Sequence, residues 1–221
     1  MLKLVIFDMD GVLIDSEPDH LKIHEKILEG LGLDPVTVGH SQYIGSTTNY
    51  KWNDIKNKYN LSLSVEELVH MNRQKYFEYI TAKDTIIKPI IGVDELVKNI
   101  HNHKLELAVA SSSPINVIER IVEVIGIDEC FDLLVSGDFV ERSKPSPDIF
   151  LYAAEKLKIN PEDCLVIEDS HNGSIAAKKA GMKCIGYRNI NSGNQDLSAA
   201  DFIIDSFKDL KLEQLEGLFL K

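Results

Sequence analysis

Apolar and polar residues alternate along this chain in two distinct rhythms. Short runs rich in β-branched residues occur at LVIF (residues 4–7), LELAVAS (105–111), FDLLVSGD (131–138), CLVIEDS (164–170) and KCIGY (183–187), and each predicts a buried strand. Between them, INVIERIVEVIGI (115–127) and DIFLYAAEKLKI (148–159) repeat their apolar positions every three or four residues, which predicts helices. Strand and helix therefore alternate. That order implies an α/β protein with a doubly wound, Rossmann-like parallel sheet and helices on both faces. A sixth run, ADFIIDS (200–206), predicts a further strand at the sheet edge.

Residues 16–83 break the rhythm, with helical periodicity, many Lys, Glu and Asn residues, and no convincing strand. HLKIHEKILEGLG (20–32) predicts one helix that stops near Gly30 and Gly32. SVEELVHMNRQKYFEYI (64–80) predicts another, opened by a capping box at Ser64 and Glu67. The expected organisation is a core of residues 1–15 and 84–221 with an inserted α-helical domain at 16–83. KPIIGVDELV (88–97) reads as the return to the core.

Composition narrows the class. With 44% hydrophobic residues among 221, the chain can bury a sizeable core. A net charge of −11 argues against nucleic acid or an anionic membrane held on a broad basic surface, so any phosphate has to be held at a focused site. Cys130, Cys164 and Cys184 are far apart and form no metal-binding or disulfide pattern, so buried free thiols are expected. No run reaches the roughly 18 apolar residues of a membrane span, and the start lacks a signal-peptide pattern. A monomeric cytoplasmic protein is the expectation.

Chemistry-bearing residues stand at four strand ends: Asp8 and Asp10, Ser111, Lys144, and Glu168 with Asp169. A parallel sheet puts all its carboxyl ends on one edge, so these residues can converge. Taken singly, each has a plainer reading. The aspartates are solvated loop acids, Ser111 to Ser113 cap a helix starting near Pro114, Lys144 is a surface lysine, and Glu168 and Asp169 open a helix whose dipole favours them.

Together, DMDGV (8–12), Ser111 in AVASSSP, Lys144 in SKPSPDIF and EDSHNG (168–173) stand in the order of the motifs of the haloacid dehalogenase superfamily. With its insert, the chain resembles the phosphatase and phosphomutase branch of that family, which carries a helical cap. The resemblance implies that Asp8 attacks phosphorus to form an aspartyl-phosphate while Asp10 serves as general acid and then base. It implies that Lys144 keeps Asp8 anionic and offsets phosphoryl charge. Ser111 and the backbone N–H of Ser112 would bind phosphate oxygens, with Gly11 and Gly173 allowing tight turns beside them.

Mg²⁺ is the implied cofactor, held by Asp8, the backbone carbonyl of Asp10, Asp169, and Glu168 either through water or as a supporting partner. The dehalogenase branch lacks the second aspartate, so Asp10 implies phosphoryl rather than carbon–halogen chemistry. The implied substrate is a small phosphorylated metabolite, a sugar or polyol phosphate, which His20 would touch. Where the similar β-phosphoglucomutases carry an arginine and a lysine for a second phosphate, this chain has Thr48 and Pro114, which favours hydrolysis. Lys51, Arg73 and Lys75 are the cations left to replace them in a mutase. His24 is expected to be structural or solvent-facing, Trp52 to lie in the cap core, and His171 to line the site. A phospho-accepting receiver domain is the rival from another class, but such domains are much shorter and lack the insert.

Overall fold

The computed structural model describes residues 1–43, 47–208 and 210–220. Strands β1 (Leu4–Phe7), β2 (Glu106–Ser111), β3 (Leu133–Ser136), β4 (Cys164–Glu168), β5 (Lys183–Tyr187) and β6 (Phe202–Ile204) form one parallel sheet in the order β3-β2-β1-β4-β5-β6. In chain order the helices are α1 (Glu17–Gly30), α2 (Pro35–Val38), α3 (Thr48–Tyr59), α4 (Val65–Thr81), α5 (Val93–Asn102), α6 (Ile115–Val124), α7 (Asp148–Leu157), α8 (His171–Lys179) and α9 (Leu212–Gly217). The chain divides into two compact units, Met1–Asp15 with Ile86–Lys221, and Ser16–Thr85.

In the first unit, β1 is fully buried and central, pairing with β2 on one side and β4 on the other. Phe7 is in register with Val109 and with Ile167, so Asp8, Ser111 and Glu168 emerge at one edge of the sheet. The strand order reverses at β1, and open α/β sheets bind ligands at such a switch point. Leu4 and Ile6 pack with Phe150 and Ala153 of α7 and with Ala176 and Ala177 of α8. Val5 and Phe7 alternate to the opposite face, on which the ring of Phe7 meets Phe131 edge to face at 6.2 Å. Each such fully buried side chain stabilises the core by about 1.5–3 kcal/mol, which anchors the strand whose end carries Asp8.

The return to the core is more helical than its sequence suggests. Val93, Leu96, Val97 and Ile100 are the buried stripe of α5, yet its N-cap is Gly92 at φ +89 with no side-chain cap. The usual start signal, a capping Ser, Thr, Asp or Asn, is absent there.

The second unit is built on α1 to α4. Ser64 and Glu67 form the expected capping box, with Glu67 N–H donating to Ser64 Oγ at 3.1 Å and Ser64 N–H to Glu67 Oε2 at 2.7 Å. Trp52 and Ile55 of α3, Leu68 of α4 and Leu28 of α1 are among its buried apolar residues, and Trp52 Nε1 donates to Asn72 Oδ1 at 3.2 Å. Among the described residues, no helix is long and apolar enough to cross a membrane.

His24 is buried, with Nδ1 3.1 Å from His40 Nδ1, while His40 Nε2 lies 2.6 Å from Glu17 Oε1. A carboxylate only accepts, so His40 Nε2 carries the hydrogen. A neutral His40 then accepts from His24 at Nδ1, leaving His24 Nε2 as a buried acceptor with no protein partner. Burial, aided by the charge of Lys51, pushes the His24 imidazole down to about 3 from 6.5.

The unfolded chain therefore takes up a proton on His24 that the folded chain does not, and stability falls as pH drops below about 6.5. Urea unfolding of wild type and His24→Phe is expected to show the wild type's relative stability falling by roughly 1–2 kcal/mol between pH 7 and pH 5. An unchanged gap between the two would rule out a neutral buried His24.

Candidate active site

Asp8 extends β1, its N–H donating to Ile167 O at 2.9 Å, and its side chain is buried. The chain then folds tightly on itself, with Leu13 N–H donating to Met9 O and Gly11 N–H to Ile14 O. Gly11 has φ +80, and a Cβ there would fall on the carboxyl of Asp169. Only glycine lets the loop carrying Asp8 and Asp10 come this close to the end of β4.

Lys144 reaches into the same place. Its Nζ donates to Asp8 Oδ1 at 2.6 Å, Glu168 Oε1 at 2.7 Å and Ala110 O at 3.1 Å, so all three ammonium hydrogens have acceptors. Burial opposes this charge, but Asp8 and Glu168 outweigh it and raise the lysine pKa. The Asp8 carboxyl is pushed up to about 7, first by burial and then by Glu168 and Asp10, against the pull of Lys144. Asp169 is raised too, by burial and by the charges of Glu168 and Asp8.

Asp10 has a different environment. Its Oδ2 accepts from Ser113 Oγ at 2.9 Å and Ser111 Oγ at 3.4 Å. Two aspartates two residues apart thus meet opposite surroundings, one an ammonium and the other hydroxyls. The plainer alternative, that these serines cap a helix, does not hold. The N-cap of α6 is Pro114, with no side-chain cap, and Ser111 Oγ instead accepts from Ser113 N–H at 3.0 Å. Ser112 is exposed between them.

Glu168 is tied down on both oxygens. Oε1 meets Lys144, while Oε2 accepts from Asp169 N–H at 3.0 Å, Ser170 N–H at 2.9 Å and Ser170 Oγ at 2.8 Å. A Cβ at Gly173 would fall on this carboxyl, so glycine in the first turn of α8 makes the room it occupies. Ser170, not an acid, caps that helix, accepting from Gly173 N–H at 3.0 Å.

Ligand atoms of Asp8, Glu168 and Asp169 all lie within 4.8 Å of one another. When ionised, three carboxylates against the single ammonium of Lys144 leave two negative charges in a buried place. A hard divalent cation such as Mg²⁺, which takes oxygen ligands, fits that donor set and its charge. The Asp10 carboxyl lies outside the cluster, on its serines.

Burial and like charges raise the pKa of Asp8 to about 7 and that of Asp169 above the usual carboxylate range, so a cation competes with protons for these carboxylates. Calorimetric titration is expected to show Mg²⁺ binding weakening by up to about tenfold per proton for each pH unit below about 7. A pH-independent affinity would mean that the carboxylates are already ionised without metal.

His20 belongs to the second unit, where its ring stacks on Tyr76 with centroids 4.2 Å apart. His171 is exposed at the start of α8, with Nδ1 3.0 Å from Asp196 O. Thr48 opens α3, and residues 44–46 just before it in IGSTTNY lie outside the described residues. Ser113, Asn189 and Ser192 also reach the site. Asn189 Nδ2 donates to Gly11 O at 3.0 Å, and Ser192 Oγ donates to Asp169 Oδ2. The serine run offered a signal for Ser113, whereas the loop after β5 offered none.

Comparison with known proteins adds to this geometry. A family model for haloacid dehalogenase-like hydrolases matches residues 5–187. Hexitol phosphatase B of Escherichia coli strain K12 is 30% identical over 218 residues, 96% of each chain. Beta-phosphoglucomutase of Bacillus subtilis strain 168 is 30% identical over 220 residues, 97% of this chain and 94% of that one. The crystal structure of CbbY from Rhodobacter sphaeroides in complex with phosphate is similar at a TM-score of 0.86 and 25% identity, covering 98% of this chain and 100% of that one. With a buried Asp8–Lys144 pair at the end of its central strand and such relatives along nearly its whole length, the chain belongs to the haloacid dehalogenase-like hydrolases and is an enzyme of that family.

Proposed function

We propose that this protein is a Mg²⁺-dependent phosphatase that hydrolyses a small phosphomonoester, a sugar or polyol phosphate, through an aspartyl-phosphate on Asp8. The observation that carries this reading is the split environment of the two aspartates: Asp8 on Lys144 and Asp10 on the hydroxyls of Ser111 and Ser113. Groups that act as nucleophile and as proton carrier need such different surroundings.

Lys144 takes Asp8 Oδ1, so Oδ2 is the oxygen that attacks phosphorus. As that bond forms, the bond from phosphorus to the substrate oxygen breaks, and Asp10 gives that oxygen its proton. In the second half, Asp10 takes a proton from water as its oxygen attacks phosphorus, and inorganic phosphate leaves with Asp8 regenerated. Ser111 and Ser112 bind phosphate oxygens, and Lys144 offsets their charge. Asp8, Asp169 and the Asp10 carbonyl would hold Mg²⁺ with Glu168 behind them, supplying positive charge where the transferred group is most negative.

Substrate choice falls to the helical unit, with His20 as one contact. Hexitol phosphatase B acts on a polyol phosphate by its name, which supports that substrate class here. The mutase reading has its own support, in the relative that is a beta-phosphoglucomutase and in the buried Lys51, whose Nζ has Asn72 Oδ1 at 3.4 Å as acceptor. Thr48 and Pro114 supply no positive charge for a second phosphate, and this favours water as the acceptor.

Phosphate release from hexitol phosphates, sugar monophosphates and β-glucose 1-phosphate, measured with Mg²⁺ and with excess EDTA, separates these readings. Release that needs Mg²⁺ is expected. Isomerisation of β-glucose 1-phosphate without release would replace phosphatase by mutase, and no turnover of any compound would remove both.

A further inference from the structure

The segment between β5 and β6 runs RNINSGNQD over residues 188–196, and its side chains reach both catalytic loops. Asn189, buried, donates from Nδ2 to Gly11 O at 3.0 Å and to Asp15 Oδ1 at 3.3 Å, while its own Oδ1 accepts from Asn191 N–H at 2.9 Å. Asn191 Nδ2 donates to the other oxygen of Asp15 at 2.6 Å. These contacts tie the segment to the loop that carries Asp8 and Asp10.

The far end of the segment is tied to the end of β4. Ser192 Oγ donates to Asp169 Oδ2, and Ser192 N–H donates to Asn189 O at 3.2 Å. Gln195 donates to Ser192 O at 2.9 Å and accepts from His171 N–H at 3.1 Å. The segment therefore bridges the nucleophile loop and the carboxylate loop through hydrogen bonds.

Asp169 needs such support more than its neighbours do. Asp8 and Glu168 each share the Lys144 ammonium directly, at 2.6 and 2.7 Å. The Asp169 carboxyl instead takes a hydrogen bond from Ser192 Oγ, in a buried place where two other carboxylates repel it. With Oδ2 engaged by the hydroxyl and pressed beside Gly11, Oδ1 is the oxygen available to a cation.

We propose that Ser192 is a positioning residue for the divalent cation, holding Asp169 by one oxygen so that the other faces the cluster, and that Asn189 and Asn191 hold Ser192 in place against the nucleophile loop. The proposal rests on the reading of Asp8, Glu168 and Asp169 as the Mg²⁺ site. Hydrogen bonds that orient a metal ligand typically change metal affinity by about 10–100-fold when removed.

The test is calorimetric titration of Mg²⁺ into the full chain, without substrate, for wild type, Ser192→Ala and Ser192→Thr, with thermal unfolding alongside. Ser192→Ala is expected to bind Mg²⁺ about tenfold more weakly, Ser192→Thr to restore most of the loss, and phosphate release to recover at saturating Mg²⁺. Should the alanine variant fail to fold, Ser192→Cys keeps the volume with a much weaker donor and gives the same comparison. Wild-type binding of Mg²⁺ with an unchanged or tighter affinity in the variant would overturn the proposal alone. A wild type that releases phosphate yet binds no Mg²⁺ would overturn the metal reading and this proposal with it.

Discussion

Asp8→Asn is expected to lower phosphate release by about 10⁴-fold or more, the size of loss seen when a covalent nucleophile is removed. The amide still offers an oxygen to Lys144, so the contact of the ammonium with the end of β1 is preserved. It also removes one of three carboxylates gathered within 4.8 Å, and with it part of their mutual repulsion. The variant should therefore unfold no more easily than wild type when Mg²⁺ is absent. Rapid acid quench and mass measurement should find a phosphoryl adduct on wild type during turnover and none on the variant. A fully active Asp8→Asn would mean that water attacks the substrate directly, and the aspartyl-phosphate would have to be abandoned.

Lys144→Met has the opposite profile, damaging folding and catalysis together. The lysine side chain is 9% exposed and bonded to two carboxylates, so its removal leaves both buried without their cation. Breaking a buried pair from one side typically costs about 3–5 kcal/mol. Urea unfolding should show a loss of that order, and phosphate release at saturating Mg²⁺ should fall by about 10²–10³-fold, as for other charge-stabilising groups. Mg²⁺ should restore part of the stability of the variant, since a ligand that binds the folded state shifts the equilibrium by mass action. A variant as stable as wild type in EDTA would show that the carboxylates are protonated rather than paired in the folded chain.

The pattern of the chain disclosed much of this in advance. Residues 4–7, 164–170 and 183–187 read as strands because β-branched runs between polar turns have few other uses, and strands are found at 4–7, 164–168 and 183–187. The capping box at Ser64 was legible because both its partners lie within one turn of helix. Helix α5 was read only as a return segment, because a glycine N-cap carries no positive signal. The serines before Pro114 have helix capping as their plain local reading, whereas Ser111 and Ser113 turn to Asp10, over a hundred residues away.

What the sequence determined by itself is the set of chemistry-bearing groups and their order: two aspartates after the first strand, a serine, a lysine, and an acid pair after the fourth. These stand at ends of periodic segments, so short-range rules find them. Only the tertiary structure decided which groups each of them faces. Parallel register brings Asp8 and Glu168 to one sheet edge, the Lys144 ammonium goes to those two and not to Asp10, and the serines take Asp10 instead. The bridge from Asn189 and Ser192 to Gly11 and Asp169 belongs to the same category. Loop residues have no period, and a hydrogen bond between distant segments leaves no mark on either one until the sheet has brought them together.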